Sequence, residues 1–207
     1  MRPEEVGRFE SCIREGGVAV FPTDTLYGLG CDPFSEAAIR RMYALKGRRP
    51  DKPSAVMFFS LDSALDALHE LGERTRAALD ALLPGPVTVV VPDRSRRFAA
   101  MGSEGTLGIR VPALSGPLAP LAAATVPVLQ TSANFAGGPE ANRITKVPAE
   151  IRAAADLVLD AGELPGTAST VVDLTSYEAE GTWNLLREGA VEGSSVAASI
   201  AASSAGR

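Results

Sequence analysis

Short apolar segments alternate with amphipathic segments along most of this chain, and this alternation limits the available folds more than any other feature. The apolar segments are predicted strands at 17–21, 55–59, 87–91, 107–111, 126–130, 157–160, 170–174 and 183–186. Apolar residues recur at helical spacing in three other segments, which are predicted helices at 35–46, 62–71 and 73–83. The order predicts an α/β or α+β domain built around a mixed β-sheet.

The length and composition indicate one domain. The chain has 207 residues, of which 45% are hydrophobic and 22% charged, and it can bury one substantial core. We expect that domain to span residues 1–190. The last segment, 191–207, is mostly Ala, Ser and Gly and offers little side-chain volume, so it is predicted to be a poorly ordered, low-complexity tail.

The sequence predicts a cytoplasmic protein that does not contact a membrane. No apolar run approaches the roughly 18 residues that would indicate a membrane span. The first residues, Met1-Arg2-Pro3-Glu4-Glu5, are acidic and unlike the start of a signal peptide. Cys12 and Cys31 have no metal-ligand spacing and are expected to be small, buried, unpaired residues.

Several catalytic classes are excluded by the residues that the sequence lacks. His69 is the only histidine, and it is predicted to face solvent. One histidine rules out a multi-histidine zinc site and an HExxH protease, and this one is unsuited to a catalytic triad. Neither the GxxxxGK[ST] loop nor the GxGxxG loop is present, so any nucleotide must be bound without these common loops.

A short loop after the first predicted helix concentrates positive charge. Lys46, Arg48, Arg49 and Lys52 lie within seven residues that also contain Gly and Pro, although the formal net charge of the chain is −5. Ammonium and guanidinium groups together suit phosphate oxygens, so the loop is a candidate anion site. Cations at a helix C-terminus are also favoured by the helix dipole without any functional role, and the loop alone does not separate these alternatives.

Small polar side chains follow two of the predicted strands. Pro22–Gly30 contains Thr23, Asp24 and Thr25 before two glycines, and 131–138 reads Thr-Ser-Ala-Asn-Phe-Ala-Gly-Gly. Such residues commonly bond only their own turns. The repetition at several strand ends instead favours one shared cleft at the sheet, to which Ser169, Thr170 and Arg187 are expected to contribute.

Arg110 is a candidate ligand for an anion. In the strand around it, Leu107, Ile109 and Val111 share one face, whereas Gly108 and Arg110 share the other. The absence of a side chain at Gly108 leaves space beside the guanidinium, which could clamp a carboxylate or phosphate on a concave sheet surface. The alternative is a solvated arginine.

These motifs resemble the YrdC family of threonylcarbamoyl-AMP synthases. The resemblance rests on Phe21-Pro22-Thr23-Asp24-Thr25-Leu26-Tyr27-Gly28-Leu29, on Lys46-x-Arg48 and on Ser132-x-Asn134, and it extends in order from about Gly16 to Arg187. It implies a twisted mixed sheet flanked by helices, with a concave substrate cleft, and makes residues 1–190 the catalytic domain.

The resemblance also implies a reaction and its partners. The family forms threonylcarbamoyl-adenylate and pyrophosphate from ATP, bicarbonate and L-threonine, with Mg²⁺ accompanying ATP. The product passes to a tRNA threonylcarbamoyl transferase complex, which modifies the adenosine 3′ of the anticodon, and weak direct contact with tRNA is possible. The chain would therefore be a nucleotidyltransferase.

Functional residues transfer from the family by motif. The expected ATP-binding residues are Lys46, Arg48, Lys52, Thr106, Ser132, Asn134, Asn142 and Arg187. The expected threonine-binding residues are Thr23, Thr25, Arg110, Thr131, Ser132 and Ser169. Lys46 and Arg48 are the expected catalytic residues, and no protein ligand for a metal is expected.

This sequence departs from the family pattern at three positions. Relatives usually carry proline where Arg49 stands, and many carry histidine at the position of Met57 and threonine at that of Asn142. We expect a different loop shape at Arg49 and altered contacts at the other two. Longer relatives also append a second domain after the part that this sequence matches.

Two alternatives share the same fold. One is a non-catalytic paralogue that binds a nucleotide or RNA, although net acidity disfavours a broad RNA-binding surface. The other is the carbamoyl-adenylate chemistry of hydrogenase maturation, whose similar domain lies within a much longer chain with zinc-binding cysteines.

Overall fold

The computed structural model describes residues 1–47, 54–94, 98 and 105–205. Nine strands form in this part of the chain: β1 Ala19–Pro22, β2 Tyr27–Cys31, β3 Ala55–Met57, β4 Val87–Pro92, β5 Thr106–Arg110, β6 Val128–Ser132, β7 Leu157–Val158, β8 Thr170–Asp173 and β9 Asn184–Arg187. The α-helices are α1 Pro3–Arg14, α2 Glu36–Lys46, α3 Leu61–Ala67, α4 Glu73–Leu82, α5 Ala149–Ala154, α6 Tyr177–Glu180 and α7 Gly193–Ala205. Two 3₁₀ helices span Gly116–Ala123 and Ile144–Lys146.

The strands form one twisted mixed sheet, which confirms the predicted fold class. Their order is β7-β1-β2-β6-β3-β5-β4-β8-β9. Three neighbouring pairs are parallel, namely β1 with β7, β3 with β5, and β4 with β8. The other neighbours are antiparallel. The polar segments that follow β1 and β6 thereby come together although about a hundred residues separate them.

Hydrophobic clusters lie on both faces of the sheet. Because successive strand residues point to opposite faces, Val20 joins a large cluster with α2, α4 and α7, whereas Phe21 joins a smaller one with α1. The smaller cluster covers only part of its face. The uncovered part of that face carries the cavity described below.

Two glycines in β2 allow Phe21 to lie flat against the sheet. The register places Phe21 opposite Gly28 and Ala19 opposite Gly30. A Cβ atom at Gly30 would come within 2.8 Å of the Phe21 ring and 2.5 Å of Val128. Only glycine fits there without movement of the neighbouring side chains.

Helix α2 has the ends that its sequence predicts. The Ser35 hydroxyl accepts a hydrogen bond from the Ala38 N–H at the N-terminus, and Gly47 ends the helix with a φ of 60°. Its last residue, Lys46, is therefore held at the point where the chain leaves the helix. His69, two residues after the end of α3, is exposed, as predicted.

The prediction of a poorly ordered tail is wrong. Residues 193–205 form α7, which packs against α4. Val196 and Ile200 are fully or almost fully buried because their spacing of four places them on the same helix face, and the Tyr177 hydroxyl lies 2.8 Å from Ser204 Oγ. Two buried apolar side chains among small ones therefore anchor this helix against the rest of the domain.

Apart from the 3₁₀ helices, four other elements were not predicted, namely α1, β2, α5 and α6. β2 lies in a segment that was interpreted as a turn, and α1 precedes the first predicted strand. Both cysteines are unpaired, as expected, with Cys31 buried and Cys12 partly buried. In the described residues, no helix is long and apolar enough to cross a membrane.

Candidate functional site

A cavity of about 460 Å³ opens on the sheet face that α1 leaves uncovered. Its lining includes a row of residues that lie opposite one another on four adjacent strands: Gln130, Ala55, Gly108 and Val90. A Cβ atom at Gly108 would stand only 3.3 Å from the Ala55 side chain. Gly108 and Arg110 both line the cavity, so the space predicted beside Arg110 is present.

The structure gathers the predicted threonine-binding residues into the wall of this cavity. All six line it: Thr23, Thr25, Arg110, Thr131, Ser132 and Ser169. Two further predicted ATP-binding residues, Thr106 and Arg187, also line it. Their roles in binding remain predictions, but the expected shared cleft is present.

Thr23 stabilises its own turn. Its hydroxyl donates to the Leu26 carbonyl oxygen at 2.8 Å and lies 3.3 Å from the Thr25 and Leu26 amide nitrogens, which donate to it. The Thr25 hydroxyl lies 3.0 Å from that of Thr23 and accepts from Arg110 at 2.6 Å. The turn therefore has a structural role that positions Thr25 at the cavity.

Arg110 is buried at the cavity wall with part of its hydrogen-bonding capacity unused. One guanidinium nitrogen donates to Asp24 Oδ1 and to Thr25 Oγ1. Asp24 is itself held because its Oδ2 accepts from the Ala113 amide at 2.9 Å. The Nε–H of Arg110 is buried and finds no acceptor in the described part of the chain. A buried donor of this kind is normally satisfied, so an acceptor on a bound ligand would complete it.

Burial is the largest influence on the pKa of Arg110. It lowers the pKa of the guanidinium, and the positive charge of Arg187 acts in the same direction, whereas the Asp24 carboxylate opposes both. An anionic ligand beside Arg110 would add a second opposing charge. The electrostatics of the site thus favour a bound carboxylate or phosphate.

Lys46 connects the end of α2 to the end of β6 and the residues that follow it. Its buried Nζ donates to the Ser132 carbonyl oxygen, to Asn134 Oδ1 at 2.7 Å and to the Asn134 carbonyl oxygen at 2.8 Å. Ser132 Oγ donates to Asn134 Oδ1 at 2.6 Å, and Asn134 Nδ2 donates to the Gly138 carbonyl oxygen at 2.6 Å. The cation therefore fixes the conformation of a segment that contributes Ser132 to the cavity.

Ser169, which directly precedes β8, lies in another part of the cavity wall. Its hydroxyl lies 2.9 Å from Thr88 Oγ1, and its carbonyl oxygen accepts from Arg187 Nη2 at 2.7 Å. A Cβ atom at Gly189 would come within 2.3 Å of the Ala168 carbonyl oxygen, so glycine is required where the chain returns past β8. This close approach holds Arg187 beside Ser169.

Some predicted residues are not at the cavity wall. Lys46, Asn134 and Asn142 do not line it, although Lys46 and Asn134 contact Ser132, which does. Asn142 Nδ2 donates to Glu163 and to the Leu164 carbonyl oxygen, and its buried Oδ1 has no donor among the described residues. Two further predicted residues, Arg48 and Lys52, lie outside the described residues, as does Arg49.

Sequence reasoning missed other polar residues of the cavity. Thr88 and Gln130 lie in strands that were interpreted simply as apolar, and Glu140 lies in the segment after β6. Strand periodicity carried a signal for Thr88, because it alternates with Val87 and Val89. Met57, by contrast, is buried in the smaller hydrophobic cluster and does not line the cavity.

Among the described residues, no group of three or more His, Cys, Asp or Glu side chains is arranged to hold a metal ion. The polar lining consists mainly of hydroxyl groups, with an amide, two guanidinium groups and one carboxylate. Such a lining suits a small molecule that carries charged and hydrogen-bonding groups.

Comparison with known proteins identifies similar sequences over most of the chain. The model of the Sua5/YciO/YrdC family, described as telomere recombination, matches residues 11–189. A threonylcarbamoyl-AMP synthase of Chromohalobacter salexigens is 38% identical over 173 residues, which represent 81% of this chain and 91% of that protein.

A longer relative shares both sequence and fold. A threonylcarbamoyl-AMP synthase of Pyrococcus abyssi is 31% identical over 167 residues, covering 80% of this chain but 49% of that protein. The chain thus matches about half the length of this relative. The crystal structure of P. abyssi Sua5 complexed with L-threonine superposes with a TM-score of 0.80 at 28% identity, covering 97% of this chain and 58% of that one.

Proposed function

This chain belongs to the Sua5/YciO/YrdC family, and on that premise we propose that it is a threonylcarbamoyl-AMP synthase. It joins L-threonine, bicarbonate and ATP into L-threonylcarbamoyladenylate and releases pyrophosphate, which makes it a nucleotidyltransferase. The product serves a tRNA threonylcarbamoyl transferase complex. The observation that carries the proposal is the buried, incompletely bonded guanidinium of Arg110 in a cavity lined by hydroxyl groups.

L-Threonine occupies the part of the cavity around Arg110. Its carboxylate pairs with the Arg110 guanidinium, which places an anion in a site with two guanidinium groups. The hydroxyl groups of Thr25 and Ser169 orient the substrate, and Thr23, Thr131 and Ser132 complete the lining. A site that must match several polar groups of one ligand discriminates strongly against analogues that lack them.

ATP approaches from the side of Lys46. We assign its phosphates to Lys46, Arg48 and Lys52, and its nucleoside to the segment that contains Ser132 and Asn134. Thr106, Asn142 and Arg187 are further ATP contacts in this proposal. Mg²⁺ enters with ATP as part of the substrate and neutralises charge on the phosphate oxygens.

The reaction needs positioning and charge stabilisation more than covalent catalysis. The α-ammonium group of threonine first loses a proton, and the resulting amine and bicarbonate form an N-carboxylate with loss of water. An oxygen of that carboxylate attacks the α-phosphorus of ATP, and the bond to pyrophosphate breaks. The protein's task is to hold the carboxylate and phosphate in line and to stabilise the charge that develops on pyrophosphate.

Pyrophosphate release tests the proposal. The purified protein is incubated with ATP, L-threonine and bicarbonate, and each component is omitted in turn. Release that requires all three supports the synthase. Nucleotide binding without release points to the non-catalytic paralogue, and release with carbamoyl phosphate in place of threonine and bicarbonate points to the maturation chemistry.

A further inference from the structure

Glu140 places a carboxylate in the cavity to which neither the sequence motifs nor the substrate assignments above give a role. It is the only acidic residue among the described residues that line the cavity, and the two basic ones are Arg110 and Arg187. Arg110 is paired with Asp24. These four groups sum to zero formal charge, so this part of the site matches a ligand that carries one positive and one negative group.

The backbone next to Glu140 is fixed against β2. The Ala141 carbonyl oxygen accepts from the Tyr27 amide at 2.9 Å, and the Ala141 side chain is fully buried. The Asn142 carbonyl oxygen accepts from the Leu164 amide at 2.8 Å. Glu140 itself is exposed and lines the cavity, so this fixed backbone places an accessible carboxylate-bearing residue at the cavity.

We propose that the Glu140 carboxylate accepts hydrogen bonds from the α-ammonium group of the amino-acid substrate, an inference that rests on the proposed function. L-Threonine presents three polar groups to the cavity. Its carboxylate pairs with Arg110, its hydroxyl meets the hydroxyl-rich wall, and its ammonium requires an acceptor. Glu140 is the group of matching charge, and a charge-assisted hydrogen bond there selects amino acids over hydroxy acids.

A ligand that lacks only the amine isolates this contact. The analogue 3-hydroxybutanoate, of the same configuration at its hydroxyl carbon, retains the carboxylate and hydroxyl groups of threonine. Titration calorimetry measures the Kd of both ligands for the wild-type protein, Glu140→Gln and Glu140→Ala. Glu36→Gln is the matched control, because Glu36 is an exposed acid on α2 that pairs with Arg40 away from the cavity.

The contact predicts a loss that is specific to the amine. Both Glu140 variants should bind threonine about 10-fold more weakly, as expected for removal of a partly exposed charge-assisted hydrogen bond. Binding of 3-hydroxybutanoate should not weaken, and Glu36→Gln should bind both ligands as the wild-type protein does. Unchanged threonine affinity, or an equal loss for both ligands, would overturn the assignment.

The same proteins separate this inference from the proposed function. Glu140-dependent binding of threonine by a wild-type protein that releases no pyrophosphate would support the contact and refute the synthase. Normal turnover with no selective effect of the Glu140 variants would support the synthase and refute the contact. A wild-type protein that does not bind threonine refutes the contact outright.

Discussion

Arg110 and Asp24 form an ion pair whose side chains are only 6% and 7% exposed, at the wall of the cavity. Removing one member of a buried pair leaves the other charge without compensation, which costs far more than the net value of the pair. Asp24 therefore makes it possible to keep a cation in this position. The pair also aligns Arg110 with Thr25, whose hydroxyl accepts from the same guanidinium nitrogen.

Loss of the Asp24 charge should destabilise the protein. Asp24→Asn leaves the buried Arg110 guanidinium without its counter-charge, and we expect the free energy of unfolding to fall by about 3 kcal/mol. Urea denaturation measures the change. Glu36→Gln breaks an exposed pair with Arg40 and should cost less than about 1 kcal/mol. Equal effects of the two variants would show that burial gives the Asp24 pair no special importance.

Replacing Lys46 should strongly slow pyrophosphate release. Lys46→Ala removes a cation assigned to the phosphates and releases Ser132 and Asn134, so the rate of pyrophosphate release should fall on the order of 10² to 10³-fold. Lys146→Ala is the control, because Lys146 is exposed on a short 3₁₀ helix. A rate close to that of the wild-type protein for Lys46→Ala would refute the phosphate assignment.

Tyr27 should make the protein lose stability at high pH. Burial, together with the neighbouring Asp160 carboxylate, raises the pKa of Tyr27 from 10.0 to about 12. Unfolded protein therefore loses this proton first, and stability that is present below pH 10 is lost as the pH rises towards 12. Tyr27→Phe should remove part of this decline.

Urea denaturation of both proteins across this range measures the effect. Burial also raises the pKa of the Cys31 thiol to about 12, but that contribution is common to both proteins and cancels in the comparison. At neutral pH the variant should already be less stable, since the Tyr27 hydroxyl accepts from the Ala161 amide and contacts Asp160. Parallel stability curves for the two proteins above pH 10 would contradict the assigned pKa shift.

Helix α7 should contribute to stability despite its simple composition. Ile200→Ala removes a side chain that is only 3% exposed, so the free energy of unfolding should fall by about 2–4 kcal/mol. Ser195→Ala, at an exposed position of the same helix, should change it by less than about 0.5 kcal/mol. Thermal and urea unfolding give the comparison. Similar stability of both variants would show that α7 does not contribute to stability, as the prediction of a poorly ordered tail implied.

The sequence was informative where local chemistry decides the structure. Ser35 and Gly47 predict both ends of α2, because a hydroxyl N-cap and a left-handed glycine act within one turn. β2 was missed because Gly28 and Gly30 weaken a strand signal, and their purpose depends on Phe21 across the sheet. α7 was missed because its two apolar residues are significant only against α4.

Those parts of the candidate site that lie at strand ends could be predicted from the sequence. The hydroxyl residues after β1 and at the end of β6, and the outward side of the Arg110 strand, were expected to share a cleft, and they line one cavity. The ion pair between Arg110 and Asp24 was not foreseen, because it joins residues 86 positions apart. Glu140 was missed for a similar reason, since its position depends on pairing between Ala141 and Tyr27.

Isotope incorporation tests the central claim most directly. The purified protein is incubated with ATP, ¹⁵N-labelled L-threonine and ¹³C-labelled bicarbonate, and the products are analysed at once by mass spectrometry. A threonylcarbamoyl-AMP synthase must yield an adenylate that carries both labels, together with one pyrophosphate for each adenylate formed. A product without either label, or pyrophosphate without any labelled adenylate, would contradict the account.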